Sequence, residues 1–309
     1  MYYPLLRGRQ NELLALQELL SHSALSSKIV PIIEPVKLSP TLVNTVEAFV
    51  GANHPLVFIA NPKVGSFYID NDNPKNASYH SRLEELGKNY GIVQRGLIVD
   101  KKTPAYVISY ENRGIPIESI FALCLEPDAI ESYKESFSNV SVKTVVPFAP
   151  TYRRIRADKI LIDDKFNKKD RNTEYSNPDD EFFSDDHLYT DGYIGFSDYS
   201  VIGMEYNDAG FAPYAIAIHI VYFDSDQSLR IHHFVSDSNE DTSDPAGKLY
   251  EALQKLHAWN LIYNLDTLGI KQLEAIYQSQ SYPGLGVVKK LSIMHHLELM
   301  GRFLDGDTI

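Results

Sequence analysis

Eight short apolar runs recur along this chain, most of them continuous rather than alternating, and a helical pattern follows nearly every one. They are "YYPLL" (2–6), "VPIIE" (30–34), "PLVFIAN" (55–61), "GLIVD" (96–100), "IFALCLE" (120–126), "VKTVVPF" (142–148), "KILIDD" (159–164) and "YIGFSDY" (193–199). Continuous apolar runs are how parallel strands read when both faces are covered. Eight such strands, expected over 2–6, 30–34, 55–60, 96–99, 120–125, 142–147, 159–163 and 193–197, alternate with seven helical patterns. That alternation points to an α/β protein of the (β/α)8, TIM-barrel-like class. A doubly wound open sheet is the rival, but no glycine-rich turn after an early strand supports a dinucleotide fold. Two segments are ambiguous. "AYVISYE" (105–111) has the Val, Ile and Tyr of a strand, and the segment after "VVPF" is short for a barrel helix.

Beyond the eighth run the pattern changes. Residues 214–235 hold two β-rich runs around "SDQS" and read as a hairpin, and 245–304 read as a helical C-terminal extension. Residues 167–191 read as an acidic insertion: 170–191 carries eight acids and one base, a net −7 out of −12 for the whole chain. With 309 residues and 44% hydrophobic composition, 1–309 reads as a single barrel-like domain bearing these additions. The overall negative charge argues against non-specific nucleic-acid binding. No run approaches the ~20 apolar residues of a membrane span. "MYYPLLRGRQ" lacks the basic start and apolar stretch of a signal peptide. Cys124 is the lone cysteine, flanked by Ala122, Leu123 and Leu125, and reads as buried. A cytoplasmic location is expected.

In a barrel, the C-terminal strand ends share one rim, and ligand sites lie there. The strand ends supply Arg7 and Arg9, Glu34 with Lys37 beyond it, Asn61 and Lys63, Asp100 and Lys101, Glu126, Arg153, Asp163 and Asp164, and Ser197 with Asp198. Carboxylates of this kind hold hard divalent ions such as Mg²⁺ or Mn²⁺. Glu34, Asp100 and Asp198 are therefore the candidate metal ligands, and with Lys37 the candidate catalytic residues. Arg7, Arg9, Asn61, Lys63, Lys101 and Arg153 are the candidate ligand-binding residues, the cations suiting a phosphate or carboxylate. Each also has a plain structural reading, because a chain leaving the core commonly does so on a polar residue, and rim charges can neutralise one another. His219 could face His232 or His233 across the hairpin, without a diagnostic metal spacing. "GFSDY" lacks the second glycine of a nucleophile elbow.

"MYYPLLRGRQNELLAL", then "PIIEPVK" and "GFSDYS", resembles the beta-protein family named after a phage protein, with relatives in bacteria. "YPLLRGRQNELLAL" is its most specific element, and the resemblance runs over most of the chain, fading after about residue 240. It implies a barrel-like α/β fold and a role in phage–host conflict or on mobile elements, beside a nuclease-like protein partner. It transfers no residue roles.

Two functional expectations follow. One is a barrel whose mouth binds an anionic, phosphate-bearing ligand, as in a metal-assisted phosphoester hydrolase. The other is a non-catalytic module that recognises a protein or phage component through the hairpin and the acidic stretch.

Overall fold

The computed structural model describes residues 1–189, 192–207 and 212–307. Asp191, the last acid of the acidic stretch, lies outside them. The chain divides into two compact units: Met1–Leu13, Ser27–Asp164 and Tyr189–Tyr199 form one, and Leu14–Ser26, Lys165–Leu188 and Ser200–Ile309 the other.

The first unit holds the barrel. Strands β1 (Leu5–Leu6), β2 (Ile32–Ile33), β3 (Leu56–Ile59), β4 (Val93–Ile98), β5 (Ile120–Leu123), β6 (Lys143–Pro147) and β7 (Lys159–Ile162) pair in sequence order, all parallel. β8 (Asp180–Ser184) belongs to the other unit, and β9 (Gly195–Ser197) pairs in parallel with β7. Tyr2 bridges to both Ile29 and Phe196. The Tyr3 N–H donates to the Phe196 carbonyl and the Leu5 N–H to the Asp198 carbonyl, each at 2.8 Å, so β9 returns to β1 and the ring closes.

Strand alternation sorts the side chains. Tyr3, Leu5, Val30, Ile32, Val57, Ile59, Phe121, Leu123, Val145, Ile160 and Ile162 form one buried cluster, the barrel interior. Leu97, Val99, Ala122, Cys124 and Val146 point outward and pack with residues of α5 (Thr103–Asn112) and α6 (Ile130–Phe137). α1 (Gln10–Ser21) follows β1, and the division between units falls within it. α2 (Pro40–Gly51) begins with Pro40 after the Ser39 cap, whose hydroxyl accepts the Leu42 N–H at 3.2 Å, and buries Leu42, Val43, Val46 and Phe49. α3 (Phe67–Asn71) and α4 (Ala77–Leu86) follow β3.

Three expectations are corrected. β4 starts at Val93, three residues earlier than Gly96, because its polar Gln94 and Arg95 are strand residues and not a loop. The ambiguous 105–111 run is helical: Thr103, Val107 and Tyr110 are buried at helical spacing, and Pro104 sits in the first turn. β6 is followed by a five-residue 3₁₀ turn, Pro150–Arg154, in place of a barrel helix, and β7 leads into the segment containing β8.

In the second unit, β10 (Ala217–Phe223) and β11 (Leu229–Val235) form the expected hairpin, with His219 opposite His233. β8, part of the acidic stretch, pairs antiparallel with β11 as a third strand. That stretch is thus not simply a solvated loop. Asp180 accepts from Tyr222 and Arg230, and Glu181 from His233. α7 (Pro245–Tyr263), α8 (Leu268–Ser279) and α9 (Leu285–Asp305) complete the unit. Residues 291–301 of α9 are buried without a break, and the His295 Nε2–H donates to the Val221 carbonyl of β10 at 2.7 Å. Among the described residues, no helix is long and apolar enough to cross a membrane.

Cys124 is fully buried in the outer-wall cluster, and burial pushes its thiol up to about 12. Only the thiolate is nucleophilic. Native protein is therefore expected to leave a thiol-reactive dye almost unreacted over hours and to label fully in denaturant. Cys124→Ser should cost about 1–3 kcal/mol, the penalty for a hydroxyl in an apolar site. Fast native labelling would contradict the burial.

Candidate functional site

The alternation that packs the interior continues past the strand ends. In β1 it runs Tyr3, Leu5, Arg7; in β2, Val30, Ile32, Glu34; in β3, Val57, Ile59, Asn61; in β4, Ile98, then Asp100; in β9, Ser197, then Tyr199. These residues crown the packed interior, so the mouth has a solid apolar floor.

Glu34 is 1% exposed. Its Oε2 is ion-paired with the Arg7 guanidinium, and its Oε1 accepts the Lys63 N–H at 2.7 Å. Arg7 also lies over the Tyr199 ring, 5.3 Å from the centroid. Lys63 in turn pairs with Asp100. Burial works against the Asp100 charge, but Lys63, the Lys102 N–H and the Thr103 hydroxyl together hold its carboxyl below the usual range. Two ion pairs thus sit side by side at the mouth, linked through Lys63.

Two glycines let the loops close this tightly. Gly8 has φ +61°, and a Cβ there would lie 3.1 Å from the Glu34 carbonyl oxygen. Gly65 has φ +78°, and a Cβ there would lie 2.1 Å from the Val36 carbonyl oxygen. The loop after β3 is therefore pressed backbone to backbone on the "EPVK" turn, with the Ser66 N–H donating to that same Val36 carbonyl at 2.7 Å.

The remaining expected residues separate. Asp198 does not join Glu34. It lies one position out of phase with Ser197 and Tyr199, on the outer side of the wall, where its Oδ1 accepts the Tyr2 hydroxyl at 2.6 Å, both residues being buried. The expected metal triad of Glu34, Asp100 and Asp198 is accordingly not assembled. Among the described residues, no group of three or more His, Cys, Asp or Glu is placed to hold a metal ion. The Asn61 side chain replaces a rung of the ladder: its amide donates to the Ile98 carbonyl at 2.7 Å and its oxygen accepts the Ile98 N–H at 2.8 Å. It is a joint between β3 and β4, with its carbonyl face occupied. Arg9 caps α1, with the Glu12 carboxylate 3.5 Å from its N–H in the manner of a capping box. Lys37, Lys101 and Arg153 are exposed and make no ion pair with a described residue.

Tyr199 is the mouth residue that strand-end reading missed. It is 4% exposed, and burial pushes its phenol up to about 12, with Asp164, Glu34 and Glu126 adding to the rise and Arg7 opposing it. Counting by twos from Gly195 through Ser197 finds it; choosing the polar "SD" pair does not.

No family model matches this chain, and no curated protein or solved structure does. The site therefore stands on its geometry. That geometry offers fixed cations, a neutral phenol and carboxylates already countered by partners. It suits recognition of an anion better than acid–base chemistry.

Proposed function

We propose that the barrel mouth binds a small phosphate-bearing anion. The observation that carries this reading is the state of the rim charges. The inner carboxylates Glu34 and Asp100 are neutralised by Arg7 and Lys63, whereas Lys37, Lys101 and Arg153 stand exposed without ion pairs among the described residues. An anion arriving at the mouth meets cations that need not first break a salt bridge. Glu126, Asp163 and Asp164 on the far strands narrow the attraction to a compact ligand and disfavour a polyanion.

A metal-assisted hydrolase is the weaker form of this reading, since its three expected ligands diverge. The alternative of a contact surface built from the hairpin and the acidic stretch is also less well supported. There Asp180 and Glu181 are bound to Arg230, His232 and His233 of the neighbouring strand.

Calorimetric titration with phenyl phosphate tests the proposal. Wild-type protein should bind one equivalent, more weakly as salt rises. Each of Lys37→Gln, Lys101→Gln and Arg153→Gln should weaken binding about threefold to tenfold, as loss of an exposed charge–charge contact does. A triple variant that binds as tightly as wild type would sink the proposal.

A further inference from the structure

The outer wall of the barrel is unevenly covered. α5 and α6 bury the outward residues of β4 to β6, but the segment after β3 does not do the same for β3 and the start of β4. α3 is five residues long and buries only Phe67, and α4, "ASYHSRLEEL", buries only Leu86. A cleft of about 530 Å³ remains over this part of the wall, within the range of small-molecule sites.

Two register neighbours, Phe58 of β3 and Arg95 of β4, line it from the strands, and both are only half-buried. Phe67 and Tyr68 add aromatic surface, with Phe58 and Phe67 centroids 6.1 Å apart and Phe67 and Tyr68 6.2 Å apart. Arg95 is unusual for a barrel strand. It packs over the Tyr110 ring at 4.8 Å but makes no ion pair with a described residue. The other charged lining residues, Glu84, Glu85, Lys88 and Arg113, are exposed, and Glu85 and Lys88 pair with each other at 2.6 Å. Arg95 is thus the charge carried by the strand wall, fixed by strand and ring.

We propose that this cleft binds a small organic anion with a flat apolar body, its charge on Arg95 and its body against Phe58, Phe67 and Tyr68. A cation with no carboxylate partner gains most from an anionic ligand in a partly desolvated site. Aromatic edges and faces select a planar body over a branched one. The competing role for Arg95 is structural: its Nη2 lies 3.9 Å from where a Cβ on Gly87 would stand, close to the C-terminal carbonyls of α4.

Two fluorescent probes separate these roles. 8-Anilinonaphthalene-1-sulfonate carries the flat body with a charge; N-phenyl-1-naphthylamine carries nearly the same body without one. Wild-type protein should bind the sulfonate saturably at one site, at least tenfold tighter than the amine. Arg95→Gln should weaken the sulfonate tenfold or more and the amine less than twofold, and Arg95→Lys should restore most of the difference. Tyr68→Ser, at a half-exposed position that does not depend on Arg95 for folding, should weaken both probes by similar factors. Equal affinity for the two probes in wild type, or sulfonate binding unaffected by Tyr68→Ser, overturns the proposal even if Arg95→Gln fails to fold. So does an Arg95→Gln protein that folds and binds both probes like wild type.

Discussion

Replacing Glu34 by glutamine should lower the unfolding free energy by about 3 kcal/mol, and neither Mg²⁺ nor Mn²⁺ should shift the melting temperature of either protein. The reason is the partner left behind. Glu34 is 1% and Arg7 14% exposed by side chain, so the substitution strands a guanidinium in a site poor in water. Breaking a buried pair by removing one member costs about 3–5 kcal/mol, and the residual exposure of Arg7 places this case at the lower end. A glutamine oxygen can still accept the Lys63 N–H, so that hydrogen bond is not the main loss. The double variant Arg7→Met with Glu34→Met should be markedly more stable than either single change, since it removes both charges together. Thermal and urea melts with and without the ions check each part. A Glu34→Gln protein that melts like wild type would refute the scaffold role. Stabilisation of wild type alone by Mn²⁺ would restore Glu34 to a metal site.

The second large effect is acid sensitivity from two adjacent histidines on α9. His295 and His296 are both fully buried. His295 donates from Nε2 to the Val221 carbonyl at 2.7 Å and accepts at Nδ1 from the Thr267 hydroxyl at 2.8 Å, which fixes it as the neutral Nε2–H tautomer. His296 Nδ1 lies 2.9 Å from the Ser200 hydroxyl, with the Phe183 ring edge-on to it. Burial is the main cause that pushes His295 down to about 4 and His296 to about 3, with Arg302 adding to the first and His187 to the second.

Both values lie below the ordinary 6.5, so the unfolded chain takes up protons first as pH falls. Stability is then fully present above about pH 6.5 and declines through the window down to about 4 and 3. Each histidine contributes a slope of up to about 1.4 kcal/mol per pH unit. His187, His219 and His233, also lowered by burial, steepen the same window. Carboxylates held low by partners, such as Asp180 and Asp266, act only nearer pH 4. Urea melts at pH 7, 6 and 5 should show falling stability, and His296→Met should flatten the slope by about one proton. An identical slope in that variant would contradict the assignment.

How far the sequence discloses this molecule depends on the kind of fact. The barrel was legible because each parallel strand is buried on both faces and carries its own apolar run. Its closure was legible only in number, since nothing in "YYPLL" announces a bond to "GFSD". The mouth was half legible. Glu34 and Asp100 follow the inward phase of their strands, and a strand end is easy to see. Asp198 misled because phase, and not proximity to the strand end, decides which side of the wall a residue takes. Asn61 and Arg9 misled because polar groups at strand exits also complete ladders and cap helices. Arg95 was passed over because polarity reads as loop, although an outward strand position with no helix above it tolerates a charge.

The ring is sealed by the Tyr2–Asp198 hydrogen bond and the pairing beside it, between partners 196 residues apart in sequence. At translation rates of 5–20 residues per second, the first strand waits roughly 10–40 s for the last to leave the ribosome. Throughout that interval one edge of β1 and one edge of β7 lack their final neighbour. The second unit faces the same delay, because it draws on Leu14–Ser26 near one end of the chain and on α9 near the other. Synthesis therefore holds both units open until the last segments emerge, and the nascent chain depends on protection of those two edges against pairing with another copy of itself.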